Sequence, residues 1–176
     1  MCPTRPHAGI GSEEIIGRTS LGDAIIGRSD HRQRGESMNN PDKIAVSIDD
    51  AYVATVEIRR PPNNYFDTGL ITALADVIAR LDDDEACRAI VLCSEGRHFC
   101  AGANLGGAGE AQLLEPGQGN DLYRQAVRIF SGRLPIVAAV QGAAIGGGLG
   151  LACAADFRVA SPTSRFVANG DRKSVV

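Results

Sequence analysis

The chain has 176 residues, of which 44% are hydrophobic and 22% charged, and its net charge is -3. That length suits one domain of ordinary globular composition. The charge balance and the lack of a basic stripe argue against nucleic acid as a partner. No apolar run approaches the roughly 20 residues that span a bilayer, and the first residues lack the apolar core of a secretory signal. The cysteines Cys2, Cys87, Cys93, Cys100 and Cys153 show no C-x-x-C spacing, so no metal site is expected. Most sit in or beside apolar runs, as free thiols do, and the expected compartment is a reducing cytoplasm.

Residues 1–37 lack sustained periodicity and repeat Ile-Ile-Gly-Arg at 15–18 and 25–28. A targeting or regulatory arm is one reading. The preferred one is a non-native or disordered extension upstream of a start at Met38. Gly35-Glu36 can be encoded by a purine-rich ribosome-binding sequence placed just before that methionine. A core is expected over 38–169. Asp171 to Val176, followed by a stop codon, back-translate into a sequencing-adapter string, so 170–176 are expected to be an artefactual tail.

Within the core, Ile44–Ile48 and Val53–Ile58 read as two strands, with Asp49-Asp50 as turn material between them. Pro61-Pro62 ends that ladder, because proline cannot donate to it. Asp67 or Thr68 caps a helix running to about Leu81, with Leu70, Leu74, Val77, Ile78 and Leu81 forming its apolar stripe. Asp82-Asp83-Asp84-Glu85 invites a metal reading but fits a solvated helix–strand connection better. A strand follows at 89–93, and a loop is expected over 106–119. Asp121 to Arg133 reads as a second helix, with Leu122, Ala126, Ile129 and Phe130 on one face and Pro135 as its terminator. A strand at 136–140, a helix over about 147–154 and a strand at 156–160 complete the order. Alternating βα units of this kind predict a largely parallel sheet covered by helices.

Two glycine-rich segments each follow an apolar strand. They are His98-Phe99-Cys100-Ala101-Gly102-Ala103-Asn104 and Gly142-Ala143-Ala144-Ile145-Gly146-Gly147-Gly148-Leu149-Gly150. Small residues let a ligand approach the main chain closely. Two N–H groups converging from two loops can hold a developing oxyanion. The nucleotide alternatives fail. Gly146, Gly148 and Gly150 do not complete G-x-G-x-x-G, since Leu151 stands where the last glycine is needed. Gly142 and Gly147 have P-loop spacing, but Gly148-Leu149 follows in place of Lys-Ser or Lys-Thr. No G-x-S-x-G elbow is present. A glycine cluster alone is often only tight helix–strand packing; the pair of motifs in this order argues otherwise.

On Phe99-Cys100-Ala101-Gly102-Ala103 and Gly142 to Ser161, including Ala155-Asp156-Phe157-Arg158-Val159-Ala160, the chain resembles the crotonase superfamily, the enoyl-CoA hydratase/isomerase family. The resemblance runs from near Lys43 to about Asn169. It implies an α/β fold, the crotonase-like ββα spiral, here incomplete at its C-terminal end. It also implies an acyl-CoA thioester as substrate, with coenzyme A as part of that substrate and no separate cofactor. The thioester oxygen would be held by the backbone N–H groups of Ala103 and Gly147. Arg60, Asn63, Ala101, Asn104 and Leu105 would flank the coenzyme A groove, with Tyr65 and Phe66 lining a pocket or plugging the loop. The family also implies further helices beyond Asn169 that cover the sheet, help close the site and build a homotrimer or hexamer.

Two departures matter. Asn104 stands where the family usually carries Asp. The first of the two glutamates that hydratases use to move protons falls on Gly150, and the second falls near Gly170. General acid–base chemistry is worth about 10² to 10⁴ in rate. The resemblance therefore supports the thioester and oxyanion framework rather than hydration itself. His98 is a tempting base, but it reads better as a loop residue ahead of a buried Phe99. A non-catalytic acyl-CoA-binding or scaffold protein is the alternative to an enzyme. A structural α/β domain with no ligand is the third reading.

Overall fold

The computed structural model describes residues 44–103 and 118–168. The expected boundaries at residue 37 and residue 170 lie outside them. Strands β1 (Ile44–Ile48) and β2 (Val53–Ile58) pair antiparallel, with Val46 opposite Val56. Asp49 makes the turn, because its carboxylate accepts the N–H groups of Ala51 and Val53, each at 2.9 Å. Helix α1 (Thr68–Asp82) follows; its N-cap Asp67 accepts the Leu70 N–H at 2.8 Å. Its stripe of Leu70, Leu74, Val77, Ile78 and Leu81 is buried, as its spacing predicts.

Strand β3 (Ala89–Ser94) pairs parallel with β2, and β4 (Ile136–Val140) pairs parallel with β3. Between them lies α2 (Gln118–Phe130). The helix begins and ends about three residues earlier than the sequence suggests, and Gln118 and Gly119 are helical rather than loop. Its C-terminal limit is set by Asp82 rather than by Pro135. The Asp82 carboxylate captures the Arg133 N–H at 2.9 Å and the Leu134 N–H at 3.0 Å. The acidic run is thus spent on turns: Asp83 pairs with Arg133 and Asp84 accepts the Ala86 N–H.

After β4 come β5 (Ala143–Ile145), α3 (Gly147–Ala154), β6 (Phe157–Ala160) and β7 (Arg165–Val167). The main sheet has the order β1-β2-β3-β4-β6, parallel except at β1. A second small sheet pairs β5 with β7, also parallel. That small sheet was not legible in the sequence. Its strands are three residues long, too short for a period-2 pattern to show.

Alternation along β2, β3 and β4 sorts the core. Val56, Ile58, Ile90, Leu92, Ala138 and Val140 join residues of all three described helices in one large cluster. Val91, Cys93 and Ala139 make a smaller cluster of their own. The Asp156-Phe157-Arg158 run is a splice. Asp156 exchanges hydrogen bonds with Ile136, and the Arg158 guanidinium donates to the Ala155 carbonyl behind α3. Every residue of β6 and β7 is exposed, Phe157 by 64% and Phe166 by 45%.

Candidate functional site

The first glycine segment runs as a ribbon between two others. On one side the Cys100 N–H donates to the Ala143 carbonyl at 2.9 Å, and the Ile145 N–H donates back to the Cys100 carbonyl at 3.0 Å. On the other side the Ala101 N–H donates to the Asn63 carbonyl at 2.9 Å, and the Phe66 N–H to the Gly102 carbonyl at 3.0 Å. Isolated bridges join Cys100 to Ala144 and Phe66 to Ala103. The segments around residues 63–66, 99–103 and 141–147 are therefore one hydrogen-bonded unit.

Ala103 stands at the end of that ribbon and Gly147 at the first turn of α3. Among the described residues, neither N–H has a hydrogen-bond acceptor. For Gly147 the reason is general: the first N–H groups of a helix have no partner within it. Nor does a side chain cap it, because the N-cap is Gly146. A Cβ on Gly147 would run into the Phe66 ring, and one on Gly148 into the Cys100 carbonyl. Glycine at these two positions lets α3 start directly against the ribbon.

The other expected residues are placed as follows. The Arg60 guanidinium donates to the Tyr65 carbonyl at 3.0 Å and pairs with Asp67 at 2.7 Å, so it braces the loop leading into α1. Asn63 joins the unit through its carbonyl, and Ala101 through its N–H. Asn104 and Leu105 lie outside the described residues. Tyr65 is exposed; Phe66 is half-buried and packs on the main cluster. His98 bonds a backbone N–H, as Nδ1 accepts from Ala143 at 3.1 Å. Gly150 is exposed on α3, and a Cβ there would meet nothing within 4 Å.

Three buried polar side chains were missed from the sequence: Asn64, Ser94 and Gln141. All three hold the turn before the ribbon. Asn64 Nδ2 donates to the carbonyls of Glu95 at 2.8 Å and His98 at 2.6 Å. Ser94 Oγ donates to the Phe99 carbonyl at 2.8 Å, and Gln141 Nε2 to the Ser94 carbonyl at 2.6 Å. Asn64 adopts φ 48, a conformation asparagine tolerates better than most residues. An asparagine directly after Pro-Pro-Asn was the available signal. Burial pushes the Cys100 thiol up from its ordinary range. In that neutral form it is a packing group and a poor nucleophile.

The fold is shared with known proteins. A crystal structure of a candidate enoyl-CoA hydratase/isomerase (crotonase) from Legionella pneumophila superposes with a TM-score of 0.65 at 32% identity, over 72% of this chain and 51% of that one. The fold is thus the crotonase fold. The family profile described as enoyl-CoA hydratase/isomerase matches residues 49–173. The chain belongs to the enoyl-CoA hydratase/isomerase family. The probable enoyl-CoA hydratase EchA14 of Mycobacterium tuberculosis is 38% identical over 128 residues, 71% of this chain and 49% of the relative. A probable enoyl-CoA hydratase of Bacillus subtilis is 34% identical over 124 residues, 66% of this chain and 46% of the relative. The chain spans about half the length of these relatives.

Proposed function

We propose that this chain carries the acyl-CoA thioester site of its family, with Ala103 and Gly147 donating their backbone N–H groups to the thioester oxygen. One observation carries the reading. Two N–H groups, one at the end of the hydrogen-bonded ribbon and one at the first turn of the helix that starts against it, have no acceptor among the described residues. A thioester oxygen gains negative charge as the neighbouring carbon loses a proton, and fixed donors stabilise that enolate more than the ground state. The substrate is an acyl-CoA, whose coenzyme A part lies along a groove flanked by Arg60, Asn63 and Ala101 and continuing toward Asn104 and Leu105. The whole protein acts as a homotrimer or hexamer in the cytoplasm. Among the described residues no helix is long and apolar enough to cross a membrane.

Gly150 favours a second reading, a non-catalytic acyl-CoA-binding protein. Hydration needs a group to position water and take its proton, and glycine has none. The exposed space beside Gly150 is wide enough for a side chain that the sequence does not supply. The test of the first reading compares binding of butyryl-CoA with that of its thioether analogue, which lacks the carbonyl oxygen. Two donors at about 0.5–1.5 kcal/mol each predict a preference of about fivefold or more for the thioester. Equal binding of both would refute the oxyanion reading. Exchange of the butyryl-CoA α-protons with deuterated water then separates the readings: an enzyme exchanges them, a carrier does not.

A further inference from the structure

We propose that His98 is a positioning residue of this site, whose imidazole sets the distance between the two donor segments. The inference rests on the oxyanion reading above. In a parallel ladder the bonds are evenly spaced. With Cys100 paired to Ala144, the next rung would take the Ala143 N–H to the His98 carbonyl. That carbonyl instead accepts from Asn64 Nδ2 at 2.6 Å. The Ala143 N–H goes instead to His98 Nδ1 at 3.1 Å. One rung later the Phe99 N–H, rather than that of His98, reaches the Gln141 carbonyl at 2.8 Å. The ladder is bulged at this point, and a side chain makes good the missing bond.

The opposite strand is built to admit that side chain. Gly142 has φ +57, and a Cβ there would meet the Arg97 carbonyl and, at 2.6 Å, His98 Nδ1. The glycine is therefore the space into which the imidazole fits. His98 lies five residues before Ala103, and Ala143 lies four before Gly147. Asn64 and Gln141 hold the turn from either side, but only the imidazole joins a side chain of the first segment to the backbone of the second among the described residues. Accepting at Nδ1 requires a neutral ring with its proton on Nε2. His98 thus acts through other groups and touches no substrate atom itself.

The test uses the full chain, butyryl-CoA labelled with carbon-13 at the thioester carbonyl, and infrared difference spectra of the bound state. His98→Leu removes the acceptor. His98→Asn keeps one, because its Oδ1 occupies nearly the place of Nδ1. The wild-type chain should lower the carbonyl stretch of the bound thioester. In the leucine variant most of that downshift should be lost, while affinity for free coenzyme A changes less than about twofold. The asparagine variant should restore the downshift. A leucine variant with the full downshift would overturn the positioning role alone. If the leucine variant does not fold, the asparagine variant decides: a folded His98→Asn without the downshift overturns the role, and one with it supports the role. A wild-type chain that leaves the carbonyl stretch unmoved would overturn the oxyanion reading and this inference together.

Discussion

Replacing Gly148 with alanine should destabilise the chain, although it adds a better helix former. Gly148 is buried in α3. Helix propensity alone favours alanine there by about 1 kcal/mol. The new Cβ, however, would fall on the Cys100 carbonyl oxygen, with the Cys100 carbonyl carbon and Cβ each at 2.9 Å. The carbonyl is main chain and the Cβ is bonded directly to the main chain, so neither can swing away. Relief requires α3 to part from the ribbon, and overpacking of this kind costs about 1–3 kcal/mol. The same carbonyl accepts the Ile145 N–H at 3.0 Å, and losing that bond adds about 0.5–1.5 kcal/mol. Set against the propensity gain, the net loss is about 0.5–3.5 kcal/mol. Gly150, two residues on, is the internal control. A Cβ there meets nothing within 4 Å, so Gly150→Ala should stabilise by up to about 1 kcal/mol. Urea unfolding of the full chain in dilute solution, followed by circular dichroism, reads both. At about 2 kcal/mol per molar urea, the Gly148→Ala midpoint should fall by about 0.2–1.8 M while that of Gly150→Ala rises. Midpoints that move upward together would refute the reasoning.

Other outcomes follow from the same geometry. A folded Gly147→Pro variant loses one donor and should lose about 10² to 10³ in any enolate-forming rate, while full turnover would remove Gly147 from the site. Hydration of a short trans-2-enoyl-CoA by the intact protein should lie about 10² or more below that of a relative with both glutamates; comparable turnover would show that another residue does the proton work missing at Gly150. Among the described cysteines, a thiol reagent at mildly alkaline pH should label Cys153 first, because Cys87, Cys93 and Cys100 are buried. Burial raises the Cys87 and Cys100 thiols, so the thiolate that reacts is scarcer at that pH and grows only as pH rises further. Equal labelling rates would contradict the packing. Phe157, Val159, Phe166 and Val167, all exposed on β6 and β7, should make the chain bind a hydrophobic dye and self-associate as its concentration rises; a monomer with low dye binding would contradict that.

Long periodic elements were legible in the sequence. The stripe of α1 and the apolar runs of β3 and β4 fall where their patterns put them, because burial alone determines such patterns. The C-terminal limit of α2 was not, because a carboxylate some 50 residues away, on Asp82, takes the N–H groups of Arg133 and Leu134. No local signal encodes that capture. Strands β5 and β7 were hidden for a different reason. They are held by pairing to the ribbon and to each other, not by side-chain alternation. The two glycine segments were visible in one dimension as small residues at strand ends, and the family resemblance they carry is what pointed to Ala103 and Gly147 within them. The buried polar side chains of Asn64, Ser94 and Gln141 were not visible, since their bonds run to carbonyls between five and 47 residues distant. His98 read correctly as a loop residue ahead of a buried Phe99, but its contact with Ala143 depends on a ladder register that only the fold reveals.

The central claim is that two backbone N–H groups grip a thioester oxygen. Amide proton shifts of Ala103 and Gly147 in the full chain test it most directly, recorded on adding butyryl-CoA and, separately, its thioether analogue. A hydrogen bond to the carbonyl oxygen should move both amide protons downfield with the thioester and leave them nearly in place with the thioether. Two amides that respond alike to both ligands, or to neither, would contradict the account.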